Sequence, residues 1–204
     1  MNISLMLKEY PKTATLKDGR PITLRPLSGE DGPALRDFFQ KLPAEDRIFL
    51  KDDVTNPAVI QSWVEKVNFD SVIPILGFVE DRLIADATLH RPRFGWMRHV
   101  GEIRVVTDRD VRRQGAGLIM AREIFFLALR LKLEKVVAEM MDTQKGAIKV
   151  FKGLGFHQEA VLKDHVMDLS GESHNLVIMS QNVVDFWKRI EDLVEDSYKD
   201  YSGA

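Results

Sequence analysis

Residues 112 to 117 read Arg112-Arg113-Gln114-Gly115-Ala116-Gly117. The apolar run Ile103-Arg104-Val105-Val106 lies before them, and the helical pattern LIMAREIFFLALRLK, from Leu118 to Lys132, follows. A strand therefore turns into a helix across two glycines, with two arginines beside them. Glycine permits positive φ and puts no side chain in the path of a ligand. A helix start offers unbonded N–H groups and a partial positive charge. Together these suit a phosphate or pyrophosphate, and Arg112 and Arg113 add charge. Other glycine-rich readings fail on detail. No Gly-Lys-Ser or Gly-Lys-Thr marks a P-loop, and Gly115-Ala116-Gly117 lacks the third glycine of a dinucleotide fingerprint. A plain strand-to-helix turn remains the bland alternative for the hexapeptide alone.

The rest of the chain is that of an ordinary globular protein. It has 204 residues, 45% apolar and 29% charged, enough for one sizeable domain. The formal net charge of −2 gives nucleic acid or an anionic membrane no global attraction. There is no cysteine, which excludes disulfides, thiolate zinc sites and a cysteine nucleophile, and fits a reducing compartment. The N-terminal MNISLMLKEYPK is too short in its apolar part for a signal peptide, and no run approaches the roughly 20 apolar residues of a membrane span. The expectation is a cytoplasmic protein with no membrane contact.

Strand and helix patterns alternate along the chain. TATLKDGRPITLRPL reads as a hairpin around Asp18-Gly19, a type I′ signal. A helix follows, capped by Ser28, with Leu35, Phe38, Phe39 and Leu42 on one face. Asn56-Pro57 opens another, through about Val67. Two strands flank Glu80-Asp81-Arg82, and the loop HRPRFGWMRH leads to the strand GEIRVVT. KVVAEMM is a strand, DTQKGAIKVFKGLG a helix, and a last strand pair surrounds Ser170-Gly171. Val183, Phe186, Trp187, Ile190, Leu193 and Val194 then mark an amphipathic helix. Such intermixing predicts an α/β fold on a mixed sheet.

Downstream of RRQGAG, residues 147 to 156 read AIKVFKGLGF. The two motifs in this order resemble the GNAT superfamily of acyl-CoA-dependent N-acyltransferases. Arg112, Gly115 and Gly117 match its first motif, R-x-x-G-x-G, which binds the coenzyme A pyrophosphate. Ala147, Val150, Gly155 and Phe156 match its second, N-x-x-A-x-x-L-Y-x-x-x-G-F, which flanks the pantetheine arm. The opening LKDGRPITLRPLSGEDGPAL is also similar to that of bacterial protein-lysine acetyltransferase domains. The resemblance implies a GNAT fold over residues 1–181: a mixed, mostly antiparallel sheet whose fourth and fifth strands splay apart, flanked by helices. Residues 182–204 would form a C-terminal helical extension, packed on the domain or on a partner subunit. A homodimer is one such assembly.

The same resemblance implies acetyl-CoA as cosubstrate, no metal, and an amine acceptor, either a small molecule or a protein lysine. Val105, Val106 and Thr107 would contact pantetheine and the thioester oxygen. Arg112, Arg113, Gln114, Gly115, Ala116 and Gly117 would hold the pyrophosphate. Two positions depart from the pattern. Gln144 replaces the motif's asparagine and can still hydrogen-bond pantetheine amides. Phe151 replaces its tyrosine and can donate no proton. Phe151 motivates an alternative: a non-catalytic acyl-CoA-binding sensor.

Acyl transfer to an amine needs a base, because an alkylammonium of pKa about 10.4 is mostly charged at neutral pH. Glu102, ten residues before Arg112, is the general-base candidate by its resemblance to the glutamate of related acetyltransferases. Alternation puts Glu102, Arg104 and Val106 on one strand face. The competing reading pairs Glu102 with Arg104 or Arg98 as an ordinary strand-start carboxylate. The five histidines stand apart in sequence, so no metal site is expected. The arginine–aromatic loop around Phe94 and Trp96 reads as a solvated hairpin loop, or as a grip for an acidic acceptor or RNA.

Overall fold

The computed structural model describes residues 3–186. In chain order the elements are α1 (Ile3–Leu7), β1 (Lys12–Thr15), β2 (Pro21–Pro26), α2 (Gly32–Lys41), α3 (Ala44–Arg47), α4 (Pro57–Lys66), β3 (Val72–Val79) and β4 (Arg82–His90). There follow β5 (Val100–Thr107), α5 (Ala116–Arg130), β6 (Lys135–Met141), α6 (Lys145–Gly153), β7 (His157–Met167) and β8 (Ser173–Asn182).

Eight strands form one sheet in the order β1-β2-β3-β4-β5-β6-β8-β7. All neighbours are antiparallel except β5 and β6, which are joined through α5 and run parallel. That parallel pairing is short. It runs from Val100↔Lys135 to Glu102↔Val137 and stops. Beyond it β5 stays with β4 as far as Thr107, opposite Ala85, while β6 stays with β8 as far as Met141, opposite Leu176. Each strand keeps its antiparallel partner, so the sheet opens into a V between them. This is the mixed, splayed sheet expected above, with the splay between the fifth and sixth strands because the strand carrying Glu102 to Thr107 is fifth in this chain.

The two sheet faces bury different helices. Under α5, Met120, Ile124 and Ala128 pack in one cluster with Ile73, Ala87, Leu89, Ile103, Val136 and Ala138. On the other face Leu35, Phe38 and Phe39 of α2 and Ile60 and Val64 of α4 pack with Leu76 and Phe78. Val105 joins the first cluster and Val106 the second, which is the alternation read from the sequence.

Some local readings change. Gly19 has φ +88, but Asp18 does not have positive φ, so the β1–β2 turn is not type I′. Asp18 instead accepts the Arg20 N–H (3.1 Å) and its guanidinium (2.9 and 2.7 Å). Asp31, not Ser28, sits at the start of α2, where Arg25 grips it through both oxygens (2.7 and 2.6 Å) and the Ser28 N–H donates to it. Asn56 caps α4 as expected, accepting from the Ala58 N–H at 3.0 Å. The short helices α1 and α3 were not foreseen; α1 exists because Ile3 and Met6 reach the first cluster. Of the expected C-terminal helix, Val183 is buried and Phe186 packs edge-on to Phe125 at 5.0 Å. The remainder, from residue 187, lies outside the described residues.

Gly101 sits where β5 and β6 still pair. A Cβ there would lie 2.7 Å from Leu133 Cδ1 and 2.8 Å from Leu89 Cδ1, both on buried leucines. Gly101→Ala is therefore expected to lower unfolding stability by about 1–3 kcal/mol through overpacking, read from denaturant melts.

Candidate active site

The glycine turn folds as its composition demands. Gly115 takes φ +89 at the N-cap of α5, and Arg113 is also left-handed at φ +64. The first helical bond runs from the Ile119 N–H to the Gly115 carbonyl at 3.0 Å. The amides of Ala116, Gly117 and Leu118 lie ahead of it, where a helix has no internal acceptors for them. The β1–β2 turn closes over this end. The Lys17 N–H donates to the Gln114 carbonyl at 2.9 Å, and Lys17 Cγ lies 3.8 Å from where a Gly115 Cβ would stand. Arg112 is tied to Asp46 of α3 at 2.7 Å.

A cleft of about 1250 Å³ begins here and follows the V across the molecule. It is lined by Glu102, Val105, Val106, Thr107, Arg112, Arg113, Gly115, Ala116, Gly117, Gln144 and Phe151. Gln114 alone of the expected residues is not in the lining. Gln144 opens α6 and accepts the Met141 N–H on its Oε1 at 2.9 Å. Phe151 is buried, edge-on to Phe156 at 5.0 Å, so its ring is largely a core group.

At the other end the cleft floor is charged. Register places His90 opposite Glu102, Thr88 opposite Arg104 and Asp86 opposite Val106. Glu102 accepts from Arg104 Nε at 2.8 Å and from Lys51 Nζ at 2.8 Å. Lys51, in the loop between α3 and α4, also reaches Glu139 Oε2 of β6 at 2.8 Å. Burial pushes the Glu102 carboxyl up, but Arg104 and Lys51 outweigh it and hold the group at about 2. Burial also lowers His90 to about 4, helped by Arg104, so its ring is neutral at neutral pH. Asp86 has no cation beside it. Burial raises it to about 7 against the weak pull of Thr88.

Lys17, Lys51, Asp86 and Glu139 were not singled out from the sequence. Each comes from an element distant in sequence from the glycine turn, and only the register and the loop path bring them to the cleft. No tyrosine among the described residues lines the cleft. Tyr10 donates to Glu123 of α5 instead, and Tyr198 and Tyr201 lie outside the described residues. His174 does not stand apart as its sequence position suggests. It meets Asp168 and Glu172 around the β7–β8 turn, away from the cleft lining.

The comparisons agree with this geometry. Residues 34–156 match the family model described as the acetyltransferase (GNAT) family, and the chain belongs to that family. Membership makes it an N-acetyltransferase with acetyl-CoA as donor. No curated protein sequence matches significantly. Among solved structures it is similar to the GNAT domain of PAT from S. lividans, at 16% identity over 84% of this chain and 96% of that one, with TM-score 0.71. It is similar to yncA from Salmonella typhimurium, whose structure includes its cofactor acetyl-CoA, at 15% identity over 79% and 94%, with TM-score 0.69. The ribosomal-protein-alanine N-acetyltransferase from Brucella melitensis gives 19% identity over 78% and 98%, with TM-score 0.68.

Asp86 makes the cleft measurable by stability. Its pKa rises from 3.8 to about 7 on folding, so between those values the native state binds more protons than the unfolded chain. Its contribution is present at low pH and is lost as pH rises through about 7. His90, lowered on folding, acts with the opposite sign below its usual range. The Tm advantage of Asp86→Asn over the parent should therefore widen from about pH 4 to about pH 7, and thermal melts of both proteins across that range check it.

Proposed function

We propose that the protein transfers the acetyl group directly from acetyl-CoA to a primary amine, with donor and acceptor bound together. A protein lysine is one such acceptor. The observation that carries this reading is the V between β5 and β6. It makes one opening with helix amides at one end and carboxylates at the other, so two substrates can meet in it without a covalent enzyme intermediate.

The coenzyme pyrophosphate would sit on the amides of Ala116, Gly117 and Leu118, with charge from Arg112, Arg113 and Lys17. Arg112 would exchange Asp46 for phosphate, or serve both. Where β5 has lost β6, its outward N–H and C=O groups at Val105 to Thr107 can pair with the pantetheine amides as a further strand would. One of those N–H groups would meet the thioester oxygen and stabilise its negative charge in the transition state. Gln144, with Oε1 engaged by the β6–α6 turn, would offer its NH₂ group to pantetheine.

Glu102 would take the proton of the acceptor amine. In the resting chain two cations hold its pKa too low for an efficient base. Burial acts in the opposite direction and is the larger single influence. Removing the Lys51 charge from its side would thus let the carboxyl rise toward a working value.

Release of free thiol from acetyl-CoA in the presence of small amines, polyamines, lysine peptides and N-terminal peptides tests the whole reading. Acceptor-dependent release is expected with at least one class, and silence across the screen would reject it. Gly115→Glu combines backbone strain at a left-handed position with a negative charge in the pyrophosphate path. It should abolish acetyl-CoA binding by calorimetry, whereas Gly115→Ala, with the strain but no charge, should retain part of it. Glu102→Gln should lower turnover by about 10²–10⁴-fold while leaving acetyl-CoA affinity nearly unchanged. Full turnover in that variant would return Glu102 to a structural role.

A further inference from the structure

Among the described residues Lys51 is the one primary amine that bridges the two arms of the V. It bridges Glu102 on β5 and Glu139 on β6, 2.8 Å from each. Glu102 is the last β5 residue that pairs with β6, and Glu139 lies two residues past the end of that pairing. The ammonium thus straddles the apex of the opening, on the face away from α5. Its loop is anchored on both sides. Leu50 packs on the second core cluster and Val54 is buried in it, so the lysine is placed by packing rather than reaching in from a free arm. The side chain is still 46% exposed, so the position opens to solvent.

We propose that Lys51 is a self-acetylation site: its ammonium fills the acceptor-amine position of the resting chain, and its Nζ takes the acetyl group when acetyl-CoA is bound and no other amine displaces it. The inference rests on the acetyl-transfer reading above and names the chemistry of its acceptor, an alkylammonium of lysine type. In the step, one Nζ proton passes to solvent on the exposed side of the site. The paired carboxylates hold the ammonium above the ordinary lysine range, and Glu102, at about 2, is too weak a base to keep the proton. The free amine attacks the thioester carbonyl, the C–N bond forms and the C–S bond breaks. The coenzyme leaves as thiolate, and the nitrogen's second proton passes to that thiolate or to water as the amide is completed. The product has no charge at Nζ, so its ion pairs with Glu102 and Glu139 are gone. Both carboxylates are then open to the ammonium of an incoming acceptor, and self-acetylation works as an activating switch.

The test incubates the full chain with acetyl-CoA alone and follows individual lysines by peptide mass spectrometry. Lys51 should be acetylated well ahead of the exposed Lys41 and Lys163, which lie outside the cleft lining. Its rate should not depend on protein concentration, and Gly115→Glu should suppress it. Equal labelling of Lys51 and the surface lysines, or labelling that persists in Gly115→Glu, would overturn the proposal. So would an unmodified Lys51 in a chain that releases thiol with an added amine; that pattern leaves the acetyl-transfer reading intact. Absence of thiol release with every amine tested would remove the reading itself. Lys51→Gln, neutral like the acetylated residue, should lower KM for the acceptor, whereas Lys51→Arg, still cationic, should not. A raised KM in Lys51→Gln would make Lys51 part of acceptor binding and overturn the switch.

Discussion

β5 has two partners, but the two pairings overlap only at Glu102. Antiparallel pairing to β4 holds it to one half of the sheet through Thr107, and pairing to β8 holds β6 to the other half through Met141. Past Glu102 and Val137 each strand keeps its antiparallel partner and loses the other. The resulting V leaves backbone donors and acceptors of Val105 to Thr107 without a β6 partner. Such groups are costly when they are neither paired nor hydrated. A ligand that carries its own amides is the natural partner for them. The proposed coenzyme site would thus follow from how the sheet distributes its hydrogen bonds, with α5 aimed at one end of the gap.

The two ends of the cleft differ in charge, and the difference follows from local chemistry. At the α5 end the amides, Arg112, Arg113 and Lys17 all favour an anion. At the far end Glu102 and Glu139 meet across the strands and hold a lysine ammonium. Asp86 lies on the same floor with no cation at hand among the described residues, so burial prevails over the Thr88 hydrogen bond and raises it. The gradient from anion-binding to cation-binding suits a reaction between a phosphorylated donor and a basic acceptor.

Much of this was legible in the sequence, and what was not has a physical reason. The glycine turn, the strand before it and the helix after it are local features, so RRQGAG could be placed from spacing alone. The alternation of Glu102, Arg104 and Val106 was equally local. The α3–α4 loop was not readable: nothing in FLKDDVT says that its lysine crosses to β5 and β6, because that depends on how Leu50 and Val54 pack. The α1 helix is too short to have periodicity and is set by burial of Ile3 and Met6. The type I′ expectation failed at Asp18, whose backbone is not left-handed and whose carboxylate binds the Arg20 N–H and guanidinium.

Phe151 bears on the chemistry that remains. The family pattern places a tyrosine there, and here a phenyl ring packs on Phe156 and anchors α6 beside the cleft. A hydroxyl would matter most if the leaving group were poor. The thiol of coenzyme A resembles a simple thiol, with a pKa near 8.5, about two units below that of an alkylamine. While the tetrahedral intermediate's nitrogen keeps its extra proton, the thiolate is the better leaving group by that margin; once that proton is lost the amine could leave only as an amide anion, and expulsion of the thiolate is strongly favoured. Its departure needs a path for charge more than a positioned acid, and the open cleft mouth admits water. The difficult step is deprotonation of the amine, and the structure concentrates its unusual electrostatics there, at Glu102 between two cations. Without a tyrosine at this position the proposed transfer would still be chemically complete, with its burden on the carboxylate end of the V.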